Sequence, residues 1–154
     1  MIRYYLAHSC HLIESVRKWE LKIQGHYNID LINPFTNNEF ENIDELKKLK
    51  TKKQLHAYNR TLDLARCQDI VEHDLEILRK CDGVVAIFNE PTIGTAQEIL
   101  ACVLLYRMPC YVICRREHRY HPWIQYLAYS SGGAVFGSRA EFERFLDEEG
   151  LKKE

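Results

Sequence analysis

Three runs decide how this chain is read: Val71-Glu72-His73-Asp74, then Cys81-Asp82-Gly83-Val84-Val85-Ala86-Ile87-Phe88, then Pro91-Thr92-Ile93-Gly94-Thr95-Ala96-Gln97-Glu98. Gly83 to Phe88 is almost wholly apolar, as a parallel strand must be when helices cover both of its faces. Ahead of it, Ile70, Val71, Ile77 and Leu78 recur at helical spacing over residues 68–80. Behind it, a Gly-containing loop opens a second helix over residues 95–106. Helix, buried strand, tight loop and helix form the centre of an open α/β sheet. The loop then falls at the carboxyl end of the strand, where such sheets bind ligands.

Working outward, Ile2 to Ala7 reads as a strand rich in β-formers, and Leu12, Val16, Trp19 and Ile23 as one face of a helix that Gly25 ends. Ile29 to Ile32 is a second strand, stopped by Asn33-Pro34, so the first 32 residues are a βαβ unit. Residues 36–66 are the least regular part. Asn37, Asn38 and Asn42 mark a loop, and Lys47, Lys48, Lys50, Lys52 and Lys53 form a basic run. This region is expected to be an insertion, either a lid or a short helical excursion. Its lysines either form a solvated face or attract an anionic substrate. Cys110 to Cys114 gives a fourth strand, Pro122 to Ala128 a short helix and Gly133 to Phe136 a fifth strand, and Ser138 caps a last helix through Leu146. The expected fold is α/β: a single domain built as a three-layer flavodoxin-like or Rossmann-like sandwich around a mostly parallel five-stranded sheet.

Composition narrows the function classes. The 154 residues, 46% hydrophobic and 28% charged, suit one globular domain with a sizeable core. A formal net charge of -1 offers no bulk attraction to a nucleic-acid polymer or an anionic membrane, and neither is an expected partner. No apolar run approaches the roughly 20 residues of a membrane span. Met1 to Cys10 reads as a strand rather than a signal peptide. Several of the six cysteines sit in apolar runs and none forms a CxxC pair, as expected of reduced thiols in a cytoplasmic protein. His8, Cys10 and His11, and separately His118 and His121, lie close in sequence, but neither spacing is a zinc pattern, so no metal is expected. The chain contains no Walker A motif, no G-x-G-x-x-G and no G-x-S-x-G elbow. No cofactor is expected.

The chemistry is expected from carboxylates. Thr95-Ala96-Gln97-Glu98 fits a capping box, in which Glu98 merely serves the helix start. Its place after a central strand and a Pro-Thr-Ile-Gly loop also suits a nucleophile facing a ligand. Asp74 falls on the Ile70, Val71, Ile77, Leu78 side of its helix, where a hydrophobe belongs and a carboxylate is costly unless paired. Two acids in different environments can divide into nucleophile and proton donor. Asp82 reads as a turn residue before Gly83. Ser9, following the first strand, could offer an N-cap to a phosphate.

In these residues the chain resembles the nucleoside 2-deoxyribosyltransferases and the related deoxynucleoside 5′-monophosphate N-glycosidases. The resemblance is carried by Tyr5-Leu6-Ala7, Asn33-Pro34-Phe35, Asp74, Asp82-Gly83-Val84-Val85-Ala86 and Gly94-Thr95-Ala96-Gln97-Glu98. It implies that Glu98 attacks the anomeric carbon of a 2-deoxyribosyl group to form a covalent intermediate. Asp74 would bind or protonate the departing base, and Tyr5 would orient Glu98. Water then gives hydrolysis and a second base gives transfer. Ser9, Thr92, Gly94 and Asp82 become expected substrate contacts. Threonine at position 92, with Ser9, leans toward a 5′-phosphorylated substrate. The hydrolases' first loop, Gly-Ser-x-Arg, is here His8-Ser9-Cys10-His11. A phosphate would therefore need another cation: Arg17, His11 or a lysine of residues 36–66. The family also implies a homo-oligomer, a dimer or larger, with sites completed by a neighbour, and Trp123 or Tyr126 could then supply a base-stacking surface. Two functions stay open from the sequence: this enzyme, or a non-catalytic nucleotide-binding module of the same fold.

Overall fold

The computed structural model describes residues 1–36, 46, 48–90 and 92–154. Asn37, Asn38 and Asn42 of the expected loop, Lys47 of the basic run and Pro91 of the expected Pro-Thr-Ile-Gly loop lie outside them. Five strands, β1 (Ile2–His8), β2 (Ile29–Ile32), β3 (Gly83–Ile87), β4 (Cys110–Ile113) and β5 (Ala134–Phe136), form one sheet in the order β2-β1-β3-β4-β5. Every pairing is parallel, so the sheet is wholly rather than mostly parallel. This is the flavodoxin-like order. Its topological switch lies between β1 and β3, and the crevice outside their carboxyl ends is the expected ligand position.

Strand alternation divides the core into two layers. Tyr5, Ala7, Val84 and Ala86 point to one side of the sheet. There they meet Ile77 and Leu78 of α3 (Leu64–Arg79), Ile99 of α4 (Ile93–Leu100), and Ile124 and Leu127 of α6 (Pro122–Ser130). Tyr4, Leu6, Val85 and Ile87 point to the other side and pack on Val16, Trp19 and Ile23 of α1 (Ile13–His26) and on Phe142 and Leu146 of α7 (Arg139–Glu148). All five residues of β3 are buried, which accounts for its unbroken apolar run. Gly83 is required there, because a Cβ would lie 2.6 Å from the Pro109 carbonyl oxygen.

Several helix limits differ from expectation. Gly25 does not end α1; the helix runs on to His26 and stops where Tyr27 turns extended and Asn28 pairs with Leu151. One glycine costs a helix about 1 kcal/mol, too little to end it while its other residues are packed. α3 begins at Leu64 rather than Gln68, because Asp63 Oδ1 accepts from the Arg66 N–H at 2.8 Å. Val71 of α3 is exposed; the inward stripe is Ile70, Asp74, Ile77 and Leu78. α4 passes into a π turn, Ala101–Leu105, closed by Tyr106 N–H to Ala101 O, so residues 95–106 are not one regular helix.

Within residues 48–66 a short helix, α2 (Lys52–Asn59), is started by a Thr51/Gln54 capping box and buries none of its residues. Leu55 and Tyr58 pack on a small separate cluster around Cys10, Ile13 and Leu46. A four-residue helix, α5 (Arg116–Arg119), precedes α6. After β2, Asn33 is tied to α1: its Nδ2 donates to buried Glu20 at 2.8 Å, and its Oδ1 accepts from Phe35 N–H at 3.0 Å. All six cysteines are free and only Cys67 is exposed. Among the described residues no helix is long and apolar enough to cross a membrane.

Candidate active site

Tyr5 sits at the middle of β1 on the α3/α4 side of the sheet, with no exposed surface. Its phenol donates a hydrogen bond to Glu98 Oε1 at 2.6 Å. Burial, and then the neighbouring Glu98 and Asp74 carboxyls, hold the phenol well above its ordinary pKa, so it remains a donor.

Glu98 does not cap its helix. Thr92 is the N-cap, and its Oγ1 accepts from the Thr95 N–H. Glu98 therefore stands in the second turn of α4 rather than the first, beyond the reach of a capping box. Released from that role, it turns to Tyr5. Burial raises its carboxyl to about 8; Asp74 adds to the rise and the Tyr5 hydrogen bond opposes it. Asp74 projects from the inward stripe of α3. Its Oδ1 is buried with no hydrogen-bond partner among the described residues, and burial lifts its carboxyl to about 7. A buried acceptor left unmatched is costly and uncommon in a native fold.

Asp74 and Glu98 line one cavity of about 430 Å³, together with Ser9, Thr92 and Gly94. A Cβ at Gly94 would meet nothing within 4 Å, so glycine there leaves open space rather than relieving a clash. Lys52 and His56 of α2 and Arg66 of α3 line the same cavity, so it holds an ammonium, an imidazole and a guanidinium as well as the acids. His8 and His11 also line it. The ring nitrogens of buried His8 lie 2.9 Å from the Ser9 carbonyl oxygen and 3.1 Å from Asn33 Oδ1, and burial lowers its pKa.

Three expected contacts are elsewhere. Asp82 precedes β3, at the amino end of the sheet, roughly 16 Å of strand away from the carboxyl end. There its carboxylate accepts from the Arg3 N–H at 2.8 Å and fixes a turn. Trp123 lines a separate apolar groove of about 450 Å³, with Gln97, Leu100 and His121, and is not among the groups around Glu98 in this chain. Arg17 is taken up by buried Glu20 and does not line the cavity.

Glu90 was not singled out from the sequence. Its Oε2 lies 2.9 Å from His11 Nε2 and 3.6 Å from Lys52 Nζ. Its position three residues after β3, at the carboxyl edge, is the one available signal. The chain matches no family model and no characterised protein with which it was compared.

Proposed function

We propose that the protein cleaves the N-glycosidic bond of a 2′-deoxynucleoside or its 5′-monophosphate, passing through a covalent glycosyl–Glu98 intermediate. The observation that carries this is the trio of Tyr5, Glu98 and Asp74: a buried phenol 2.6 Å from one carboxylate, beside a second carboxyl with an unmatched oxygen in the same cavity. With both carboxyls raised by burial, the pair titrates as a unit in two macroscopic steps and keeps a proton into the neutral range. The productive form has that proton on Asp74, which passes it to the departing base, while Glu98, ionised and held by Tyr5, attacks the anomeric carbon. Positive charge growing on the sugar favours ionised Glu98 at that moment. Asp74, now ionised, then takes the proton of the incoming water or base. Neither a metal nor a cofactor enters these steps.

Lys52 and Arg66 at the cavity favour an anionic substrate and so the 5′-monophosphate. The uncharged α6, with Trp123, Tyr126 and Tyr129 each more than half exposed, supports a homo-oligomer. Six free thiols fit a cytoplasmic setting.

The test is release of free base from a panel of deoxynucleosides and their 5′-monophosphates, with and without an acceptor base, by wild type and Glu98→Gln. Release by wild type alone is expected, and acceptor dependence separates transfer from hydrolysis. A folded wild type that binds nucleotides but releases no base from any of them would instead be a binding module.

A further inference from the structure

Ser9 heads the 3-10 turn Cys10–Leu12, yet its hydroxyl caps no backbone N–H there. It lies 2.5 Å from His11 Nδ1, and His11 Nε2 lies 2.9 Å from Glu90 Oε2. One neutral tautomer satisfies both contacts: Nδ1 accepts from the Ser9 hydroxyl and Nε2–H donates to the carboxylate. Glu90 is kept ionised, because His11 and Lys52 together outweigh the effect of burial and hold it below the usual carboxylate range. Ser9 is 3% exposed and the His11 side chain 12%, so their contact is shielded from bulk water while both residues line the cavity; Glu90, at 35%, reaches the surface. A hydroxyl bonded to an imidazole that is itself oriented by a carboxylate is the arrangement that activates a serine nucleophile. Glu98 chemistry as described above uses none of these three groups as nucleophile or base.

We propose that Ser9, His11 and Glu90 form a second nucleophilic centre in this cavity, which hydrolyses small carboxylic esters through an acyl–Ser9 intermediate. Ser9 Oγ bonds to the ester carbonyl carbon as its proton passes to His11 Nδ1, and the carbonyl π pair moves onto oxygen. That pair returns as the ester C–O bond breaks, and the departing alcohol takes the proton from His11. Water, deprotonated by His11 in turn, attacks the acyl carbon, restoring Ser9 and releasing the carboxylic acid. Glu90 offsets the charge on the imidazolium in both halves. Ile93 and Gly94, the first residues of α4, line the cavity, and the first N–H groups of a helix have no acceptor within it. They are the donors for the oxyanion, and the open space before Gly94 lets the substrate approach them.

The test is labelling with a fluorophosphonate probe, located by peptide mass spectrometry, together with pre-steady-state hydrolysis of p-nitrophenyl acetate. Wild type is expected to carry one adduct, on Ser9, and to give a burst of p-nitrophenol that Ser9→Ala abolishes. His11→Ala should slow labelling by about 100-fold or more. If that variant does not fold, Glu90→Gln serves, with an expected slowing of about tenfold. Wild type without an adduct on Ser9, or a folded His11→Ala labelled at the wild-type rate, overturns the proposal. Ester and nucleoside assays share no substrate. Labelling of Ser9 without base release therefore removes only the glycosidic function, and base release without labelling removes only the serine centre.

Discussion

Replacing Glu98 with Gln should make the protein more stable, and only at neutral to alkaline pH. Gln keeps the size of the side chain and an oxygen that accepts from Tyr5, so the hydrogen bond survives while the charge is lost. In the folded wild type Glu98 releases its proton at about 8, whereas an unfolded chain releases it near 4.5. Across that window the native state binds more protons than the unfolded state. Wild-type stability therefore falls as pH rises from 4.5 toward 8 and levels off above it. At about 1.4 kcal/mol per pH unit the ceiling on this cost is about 5 kcal/mol. Part of it is the repulsion from Asp74, which is felt only while Asp74 is ionised, and the buried amide of Gln carries a desolvation cost of its own. A gain of about 1–3 kcal/mol at pH 8.5 is expected, or roughly 3–10 °C in melting temperature for a domain of this size. At pH 4.5 the two proteins should melt together. The assay is thermal and urea unfolding of both proteins from pH 4.5 to 8.5. A variant less stable than wild type by the same amount at every pH would refute the reasoning. Glu98 would then be a structural acceptor for Tyr5 and not a charge held at a cost for chemistry.

Other perturbations follow from the same geometry. Tyr5→Phe removes a hydrogen bond that favours ionised Glu98; base release should fall about 10–100-fold and the acidic limb of the pH–rate profile should move to higher pH. Asp74→Asn removes both the proton donor and a charge that raises Glu98. The acidic limb should move to lower pH, with a loss of about 100-fold for poor leaving bases and much less for good ones in steady-state assays. Thr92→Ala deletes the N-cap of α4 and should cost about 1 kcal/mol in urea unfolding. Tyr126→Glu places a charge on the exposed aromatic face of α6 and should shift the protein from oligomer to monomer in sedimentation velocity.

The sheet was legible because each strand's pattern reported its surroundings. β3 is apolar throughout and buried throughout, and the alternation in Tyr4-Tyr5-Leu6-Ala7 assigns each residue to one of two cores. Asp74 was legible as a carboxylate where a hydrophobe belonged. The helix start at Glu98 was not, because Thr92 and Thr95 both offer an N-cap hydroxyl, three residues apart; the earlier one is taken once its Oγ1 reaches the Thr95 N–H. Asp82 was placed with the site by its motif, although a residue ahead of a parallel strand lies at the edge opposite the ligand crevice. Val71 shares the apolar character of Ile70 but not its direction around α3. The contacts of His11 with Glu90 and of Tyr5 with Glu98 join residues 79 and 93 positions apart, and no local periodicity reports such pairs.

The most direct measurement is rapid acid quench of wild type turning over a deoxynucleoside 5′-monophosphate, followed by mass spectrometry of its peptides. A deoxyribosyl phosphate bonded to the peptide that contains Glu98, formed and lost at rates matching base release, is the predicted result. Base release with no adduct at any time, or an adduct on a residue other than Glu98, would contradict the account.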